Sequence, residues 1–175
     1  ARTTDYFKSN ANKEKSNKTI REIGSGAGLN NSYIIAPSNV NAILSKYKFS
    51  SKNYISLPSC KSDGKTVEAR AVEKVVIRIN GVDISYYNTH LDYHPNCATQ
   101  HMKDLANIVK SDPNPTIITA DFNYVSPNNY NKYLKPLGFK VAAHDTKLYG
   151  KENNNSYMDS VFIKSNGHID ISSSK

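Results

Sequence analysis

The chain has 175 residues, which suits a single domain with a hydrophobic core of its own. It carries 23 Lys and Arg against 15 Asp and Glu, a formal net charge of +8, and this favours polyanionic partners such as nucleic acid or an anionic membrane surface. The lysines are scattered, so a uniformly basic, solvated surface explains the charge equally well. No run of about 18 apolar residues is present, which argues against a transmembrane helix.

The N-terminal segment, residues 1–30, carries little information about fold. Its polar start does not resemble a signal peptide, although cleavage of one could leave such a start. We therefore expect a soluble chain and leave open whether it is secreted. A short helix is predicted over Ser16–Ile23, with Ser16 as its N-cap and its end at Gly24. The glycine-rich run 24–28 lacks a preceding strand and a following Lys-Ser/Thr, so it is predicted to be a flexible connection rather than a phosphate loop.

The middle of the chain has the pattern of β-strands. The strongest local signal is Asn80-Gly81, a pair that favours a tight hairpin, between two runs of alternating apolar residues. Apolar residues at 75, 77, 79, 82, 84 and 86 fall on one face, as a half-buried antiparallel ribbon requires. Strands are predicted over Tyr33–Ala36, Asn41–Ser45, Tyr54–Leu57, Val75–Ile79 and Val82–Tyr87.

The second half alternates helices with strands. Residues 97–110 place apolar side chains on one helical face, and Asp112-Pro113-Asn114-Pro115 ends that helix. A second helix is predicted over Pro127–Leu134. Strands are predicted over Thr116–Ala120, from Phe139, over Met158–Ile163 and over His168–Ile171. Because helices occur between strands and strands outnumber them, the pattern predicts a layered sheet protein with helices outside.

Polar side chains stand at the ends of three predicted strands. Asn88–Asp92 ends the second hairpin strand, Asp121–Asn123 follows a buried strand, and Tyr157–Ser160 begins another. A rigid sheet can hold such groups in fixed register while the loops leave room for a substrate. These three segments are therefore the candidate site.

The hairpin register extends this prediction. If Ile79 faces Val82, His90 lies opposite Ala71 and close to Glu68 and Arg70. Strict alternation places Glu68 on the other side from His90, and a β-bulge near the strand end would correct this. A carboxylate beside a histidine raises its basicity and fixes its tautomer, which suits proton transfer or phosphate binding.

The same register places the two cysteines at one end of the ribbon. Cys60 and Cys97 lack metal-ligand spacing. They are therefore either one disulfide or two free thiols, and the sequence leaves both alternatives open.

A succession of short motifs runs along the chain: Asn41–Lys46, Glu68–Arg70, Asn88–Asp92, Gln100, Ala120–Asn123, Gly138–Phe139 and Met158–Ile163. In this order they resemble the endonuclease/exonuclease/phosphatase superfamily, which includes deoxyribonucleases, abasic-site endonucleases, inositol polyphosphate phosphatases and bacterial sphingomyelinases. The resemblance implies an α+β fold, in which two packed, mainly antiparallel β-sheets are flanked by helices. This four-layer αββα sandwich would form one domain over residues 1–175, incomplete at both ends.

The resemblance also implies roles for individual residues. His90 would contact the scissile phosphate, with Glu68 as its carboxylate partner. Asp121 would orient or deprotonate the attacking water, and Asn123 would direct its amide to the phosphate. Asp159 would pair with a second, C-terminal histidine.

A hard divalent cation, Mg²⁺ or Mn²⁺, is the expected cofactor, with Asp121 as a ligand and Arg70 supporting the site. Three motifs of the superfamily are missing from this sequence: an Asn on a first strand, a Gln-Glu pair on the next strand whose Glu binds the metal, and a terminal Ser-Asp-His. His168 does not stand in such a motif and is interpreted as a polar position in a strand.

The resulting hypothesis is a metal-dependent phosphoesterase that is weak or inactive as an isolated chain. Nucleic acid is favoured over phospholipid as the phosphate-ester substrate, and a further segment or a second chain is expected to complement the site. The alternative is a non-catalytic pseudoenzyme, a domain that binds a polyanion or a protein. A third alternative is an unrelated β-rich protein with coincidental motifs.

Overall fold

The structure is a computed structural model that describes residues 10–35, 41–123, 125–144, 147–148, 151–152 and 158–169. Its helices are α1 (Asn10–Gly26), α2 (Pro95–Lys110) and α3 (Pro127–Tyr133), and a 3-10 turn spans Lys135–Leu137. The strands are β1 (Asn31–Ile35), β2 (Asn41–Ser45), β3 (Phe49–Ser56), β4 (Lys61–Ser62), β5 (Lys65–Thr66), β6 (Ala71–Ile79), β7 (Val82–His90), β8 (Thr116–Asp121), β9 (Lys140–His144), β10 (Lys147–Leu148), β11 (Lys151–Glu152) and β12 (Asp159–Lys164).

The centre of the molecule is a six-stranded sheet with the order β3-β6-β7-β8-β12-β9. Strands β7 and β8 run parallel, and the other neighbouring pairs of this sheet run antiparallel. Helix α2 makes the connection between the two parallel strands, which a hairpin cannot make. As a result, β7 and β8 end at the same edge of the sheet.

One face of this sheet packs against α2 and α3. Helix α2 turns Met102, Leu105 and Val109 inward, and all three are fully buried. They join the buried side chains of the strands in one hydrophobic core, in which the ring of Phe162 stacks on Tyr130 at 5.1 Å. Burial of this apolar stripe gives the helical layer its place on the sheet.

The opposite face of the sheet is covered in part by the antiparallel pair β1–β2, which contacts β3, β6 and β7. Helix α1 packs on the outside of β1 and β2. The order of layers is therefore helix, sheet, sheet, helix, and the α+β sandwich predicted from the sequence is confirmed. None of the helices in the described ranges has the length and apolarity needed to cross a membrane.

Helix α1 differs from its prediction. It begins at Asn10 rather than after Ser16, and it continues through Gly24 and Gly26, which were predicted to lie in a flexible connection. A Cβ at Gly24 would lie 3.0 Å from the carbonyl oxygen of Leu29 and 3.3 Å from the side chain of Leu44. The glycine therefore permits a close approach of α1 to β2, which local propensity alone does not reveal.

The β6–β7 hairpin has the predicted register. Ile79 pairs with Val82, and the turn residues Asn80 and Gly81 have φ angles of 50° and 83°. The pairing continues to Val72 and Thr89 without a register shift, so the predicted bulge is absent from these paired residues. The Thr89 hydroxyl donates to the carbonyl of Ala71 at 2.8 Å, which extends the regular ladder by a further residue.

The predicted strand His168–Ile171 is wrong for its first two residues. His168 lies in a turn that follows β12, and its backbone N–H donates to the carbonyl of Ser165. Asn166 and Gly167 take φ angles of 46° and 79°, which a strand does not permit. Residues 170–171 lie outside the described ranges.

Cys60 and Cys97 form a disulfide, with their Cα atoms 5.7 Å apart. The bond ties the segment between β3 and β6 to the first turn of α2, where Cys97 is fully buried. Beside it, the Asn96 side chain donates to the carbonyl of Lys61 at 3.2 Å. The disulfide hypothesis is confirmed, and the alternative of two free thiols is wrong.

Candidate functional site

Three of the residues predicted from the sequence lie side by side on adjacent strands at one edge of the six-stranded sheet. His90 at the end of β7 pairs with Asp121 at the end of β8. Asp121 pairs in turn with Asp159 at the start of β12. Neighbouring strands are about 4.8 Å apart, so these three residues fall within roughly 10 Å along one line. The register thus brings together groups that are up to 69 positions apart in the chain.

His90 and Asp121 are in direct contact. The imidazole Nε2 of His90 lies 3.4 Å from Oδ2 of Asp121. The other carboxylate oxygen, Oδ1, accepts the backbone N–H of Asn123 at 2.9 Å. The side chains of His90 and Asp121 are 21% and 38% exposed, while Nε2 of His90 itself is buried against the carboxylate. This arrangement holds an imidazole and a carboxylate in fixed relation at an open edge.

Asn123 stabilises this edge of the sheet through hydrogen bonds to its neighbours. Its φ of 53° is in the left-handed region, which asparagine tolerates better than most residues. Its side-chain amide donates to the carbonyl of Leu91 at 2.8 Å, and the residue is buried. It therefore joins the loop after β8 to the end of β7. The amide that the motif assigns to the phosphate thus donates to the backbone of Leu91 in this structure, and its role toward a phosphate stays a prediction.

Glu68 and Arg70 form an ion pair. Arg70 is buried, and its guanidinium lies 3.4 Å from Oε2 of Glu68 and 3.8 Å from Oδ2 of Asp92. Asp92 is fully buried and lies 2.6 Å from Nδ1 of His94. The structure thus shows an arginine partner for Glu68 and the carboxylate of Asp121 beside His90, and the pairing of His90 with Glu68 stays a prediction.

An open cleft of about 400 Å³ lies beside the edge. Asp121 and Asp159 line it, together with Asn88, which belongs to the predicted segment Asn88–Asp92, and with two residues that sequence reasoning missed, Thr119 and His144. Asn88 pairs with Thr119, two residues before the pair of His90 with Asp121. The alternation of the hairpin, continued to its end, would have identified Asn88 as facing the same side as His90.

Next to this edge, a row of hydrogen-bonded polar side chains crosses the sheet from β6 to β8. The side-chain amide of Asn88 donates to Oε2 of Glu73 at 2.9 Å, and its carbonyl oxygen accepts the hydroxyl of Thr119 at 3.1 Å. Glu73 is fully buried between the six-stranded sheet and β1. Its burial raises its pKa to about 7, although Asn88 and the backbone amide of Ile35 oppose this shift. A buried carboxyl that titrates near neutral pH is thus joined to the wall of the cleft.

The fold has many relatives among solved structures, although no protein-family profile and no curated protein sequence matches this chain. An endonuclease/exonuclease/phosphatase family protein from Bacteroides thetaiotaomicron superposes with a TM-score of 0.62 over 84% of this chain and 64% of its own, at 15% identity. A mannosyl-6-phosphatase from the same organism gives 0.60 over 84% and 66%, at 14% identity. TDP2 from D. rerio, solved with a single-stranded DNA product, gives 0.62 over 84% and 66%, at 13% identity.

The chain has the endonuclease/exonuclease/phosphatase fold. At these identities the likeness concerns the fold, and it agrees with the sandwich that the motifs predicted. The chain spans about two thirds of the length of these relatives or less.

Proposed function

We propose that this chain carries the phosphate-binding half of a divalent-metal-dependent phosphoesterase site at the ends of β7, β8 and β12. The observation that supports this most is the row of His90, Asp121 and Asp159 on adjacent strands, with the imidazole and carboxylate in contact. Hydrolysis of a phosphate ester needs an activated water and donors for the charge that develops on the phosphate oxygens. In this row Asp121 can activate the water, and His90 can donate to the phosphate oxygens.

In this proposal each residue has a separate task. His90 donates from its imidazole to a phosphate oxygen, and Asp121 accepts a proton from the attacking water or orients it. Asn123 fixes Asp121, since its backbone N–H holds Oδ1 of that carboxylate. Asp159, on the neighbouring strand, orients the second, C-terminal histidine of the complete site.

Mg²⁺ or Mn²⁺ would neutralise charge on the phosphate oxygens when bound. The donor chemistry fits such an ion, because the carboxylate of Asp121 is a hard oxygen ligand that is partly exposed at the open edge. Mg²⁺ is usually held by one or two carboxylates together with substrate phosphate and water. Among the described residues no group of three or more His, Cys, Asp or Glu side chains could hold a metal ion. We therefore propose that the ion binds weakly unless a substrate phosphate is present.

Weak activity of the isolated chain follows from this limited ligand set. The solved relatives are longer than this chain, and further metal ligands in this proposal come from a complementing segment or a second chain. The partly exposed Ile117, Val161 and Ile163, which share the cleft side of the sheet, form a surface on which such a segment can pack.

Nucleic acid is the substrate class that we favour over phospholipid. The net charge of +8 supports a polyanion, and one solved relative is named as a complex with single-stranded DNA product. The disulfide supports an oxidising compartment, and therefore secretion, because such bonds are rare in the reducing cytosol.

An assay of phosphodiester hydrolysis tests the proposal. We expect the wild-type chain with Mg²⁺ or Mn²⁺ to turn over a single-stranded DNA oligonucleotide or sphingomyelin vesicles hardly faster than Asp121→Ala. Asp83→Ala, at the opposite end of β7, is the matched control. The oligonucleotide, but not the vesicles, should bind at low salt and dissociate as salt rises.

Each departure from this expectation has a meaning. A wild-type rate far above that of Asp121→Ala would prove the weak-activity proposal wrong while supporting the site. A metal-dependent rate that is equally high in Asp121→Ala would contradict the site itself. Salt-sensitive DNA binding without any Mn²⁺ binding would favour the non-catalytic binding domain.

A further inference from the structure

The buried carboxyl of Glu73 has no role in the proposed chemistry, yet it is connected to the cleft. It lies on β6, two strands away from β8, and Asn88 connects it to the cleft. Asn88 and Thr119 both line the cleft together with Asp121 and Asp159. The three side chains therefore form one hydrogen-bonded path from a closed interior to an open site.

The direction of each hydrogen bond in this path is fixed by the charge at its buried end. A carboxylate can only accept, so Asn88 turns its NH₂ toward Oε2 of Glu73. The Asn88 carbonyl oxygen then faces β8 and accepts the hydroxyl proton of Thr119. With that proton engaged, the Thr119 oxygen offers lone pairs to the cleft, and these repel the oxygen of an anion.

When the carboxyl of Glu73 is protonated, the hydrogen bonds of this path can run in the opposite direction. A protonated Glu73 can donate to the Asn88 oxygen once the amide has turned over, and the Asn88 NH₂ then donates to Thr119. The hydroxyl proton of Thr119 is released to the cleft. The carbonyl of Tyr87 is a competing acceptor, but it lies 3.4 Å from the Thr119 oxygen, a long distance for a hydroxyl donor.

We propose that Glu73 is a positioning residue of this site, which determines through the Asn88 amide whether Thr119 presents a proton or a lone pair to a phosphate oxygen. This inference rests on the proposed function, since it takes the ligand of the cleft to be a phosphate. Phosphate binds more tightly when Glu73 is protonated and the Thr119 hydroxyl proton points into the cleft. The reason is that phosphate oxygens accept hydrogen bonds and repel lone pairs.

Both directions of the path are populated near neutral pH, since burial raises the pKa of Glu73 to about 7. Among the described residues, the titratable side chains on this face next to Glu73 include Tyr33 on β1, Tyr54 on β3 and Tyr86 on β7. Burial raises the pKa of Tyr33 above its ordinary value of 10.0, so it stays neutral in this range. Lys52 lies over the Tyr33 ring at 6.0 Å, and β2 contributes no titratable side chain.

The path itself is tested by NMR titration without any ligand. In wild type, the side-chain NH₂ resonances of Asn88 are expected to shift with the same midpoint, near pH 7, as the carboxyl carbon of Glu73. In Glu73→Gln this transition should vanish. Asn88 resonances that do not follow Glu73 would overturn the inference, whatever the protein binds.

Binding of inorganic phosphate at pH 6 and pH 8 tests the consequence. Wild type should lose roughly five-fold more affinity over this interval than Glu73→Gln, the effect of about one hydrogen bond. Contributions from His90 and from phosphate itself are common to both proteins and cancel. The difference should disappear in a Thr119→Val background.

An equal loss in wild type and Glu73→Gln would overturn the inference. A difference that persists in Thr119→Val would also overturn it, since the charge of Glu73 would then act directly on the ligand. If none of the proteins binds phosphate while the NMR transition is intact, the result would count against the proposed function and not against the hydrogen-bonded path.

Discussion

Replacing Cys60 and Cys97 together with serine is expected to lower the free energy of unfolding by about 4 kcal/mol. The disulfide closes a loop of 37 residues, and without it the unfolded chain gains the conformational freedom of that loop. The native contacts beside the bond, such as that of Asn96 with Lys61, remain in the variant. The loss therefore arises mainly from the unfolded state.

Denaturant unfolding under non-reducing conditions measures this effect. Asn96→Ala is the matched control, because it removes one exposed hydrogen bond beside the disulfide and should cost no more than about 1 kcal/mol. Thiol titration of the unreduced native protein should find no free thiol. Two free thiols, or a loss of stability below about 1 kcal/mol in the double variant, would contradict the prediction.

Replacing Glu73 with glutamine is expected to stabilise the protein at pH 8 by up to about 3 kcal/mol. The folded-state pKa of about 7 lies above the ordinary value of 4.5, so the folded protein binds more protons than the unfolded chain between these values. The contribution of Glu73 to stability is therefore most favourable below pH 4.5 and is lost as pH rises from there through 7. Glutamine does not ionise and can still accept the hydrogen bond from Asn88.

Unfolding free energies of wild type and Glu73→Gln, measured from pH 5 to pH 8, check this sign. The advantage of the variant should grow with pH and level off above about pH 8. Glu22→Gln on the exposed surface of α1 is the control, and its difference from wild type should change little with pH. Parallel stability curves for wild type and Glu73→Gln would show that the carboxyl is already protonated or ionised throughout.

The part of the site that depends on strand register could be predicted from the sequence. Asn80-Gly81 fixes the turn, and the alternation of apolar residues fixes which side chains share a face. From these two features the position of His90 follows. The resemblance implied that Asp121 and Asp159 act at the same site as His90, and the sheet places the three residues on adjacent strands.

Features that depend on contacts between layers could not be predicted in the same way. The length of α1 depends on its close approach to Leu44 of β2, a contact invisible to local propensity. The partner of Glu68 depends on the buried Arg70, which lies between two carboxylates. Glu73 did leave a signal, because it continues the apolar alternation of Val75 and Ile77 and therefore faces the interior.

Crystals soaked with Mn²⁺ and inorganic phosphate test the central proposal, a phosphate and metal site at the ends of β7, β8 and β12, most directly. Anomalous scattering should place Mn²⁺ in contact with a carboxylate oxygen of Asp121, and the phosphate should accept a hydrogen bond from His90. The same soak of Asp121→Ala should leave this edge without the ion. Mn²⁺ and phosphate bound away from these strand ends, or unchanged Mn²⁺ binding in Asp121→Ala, would contradict the proposal.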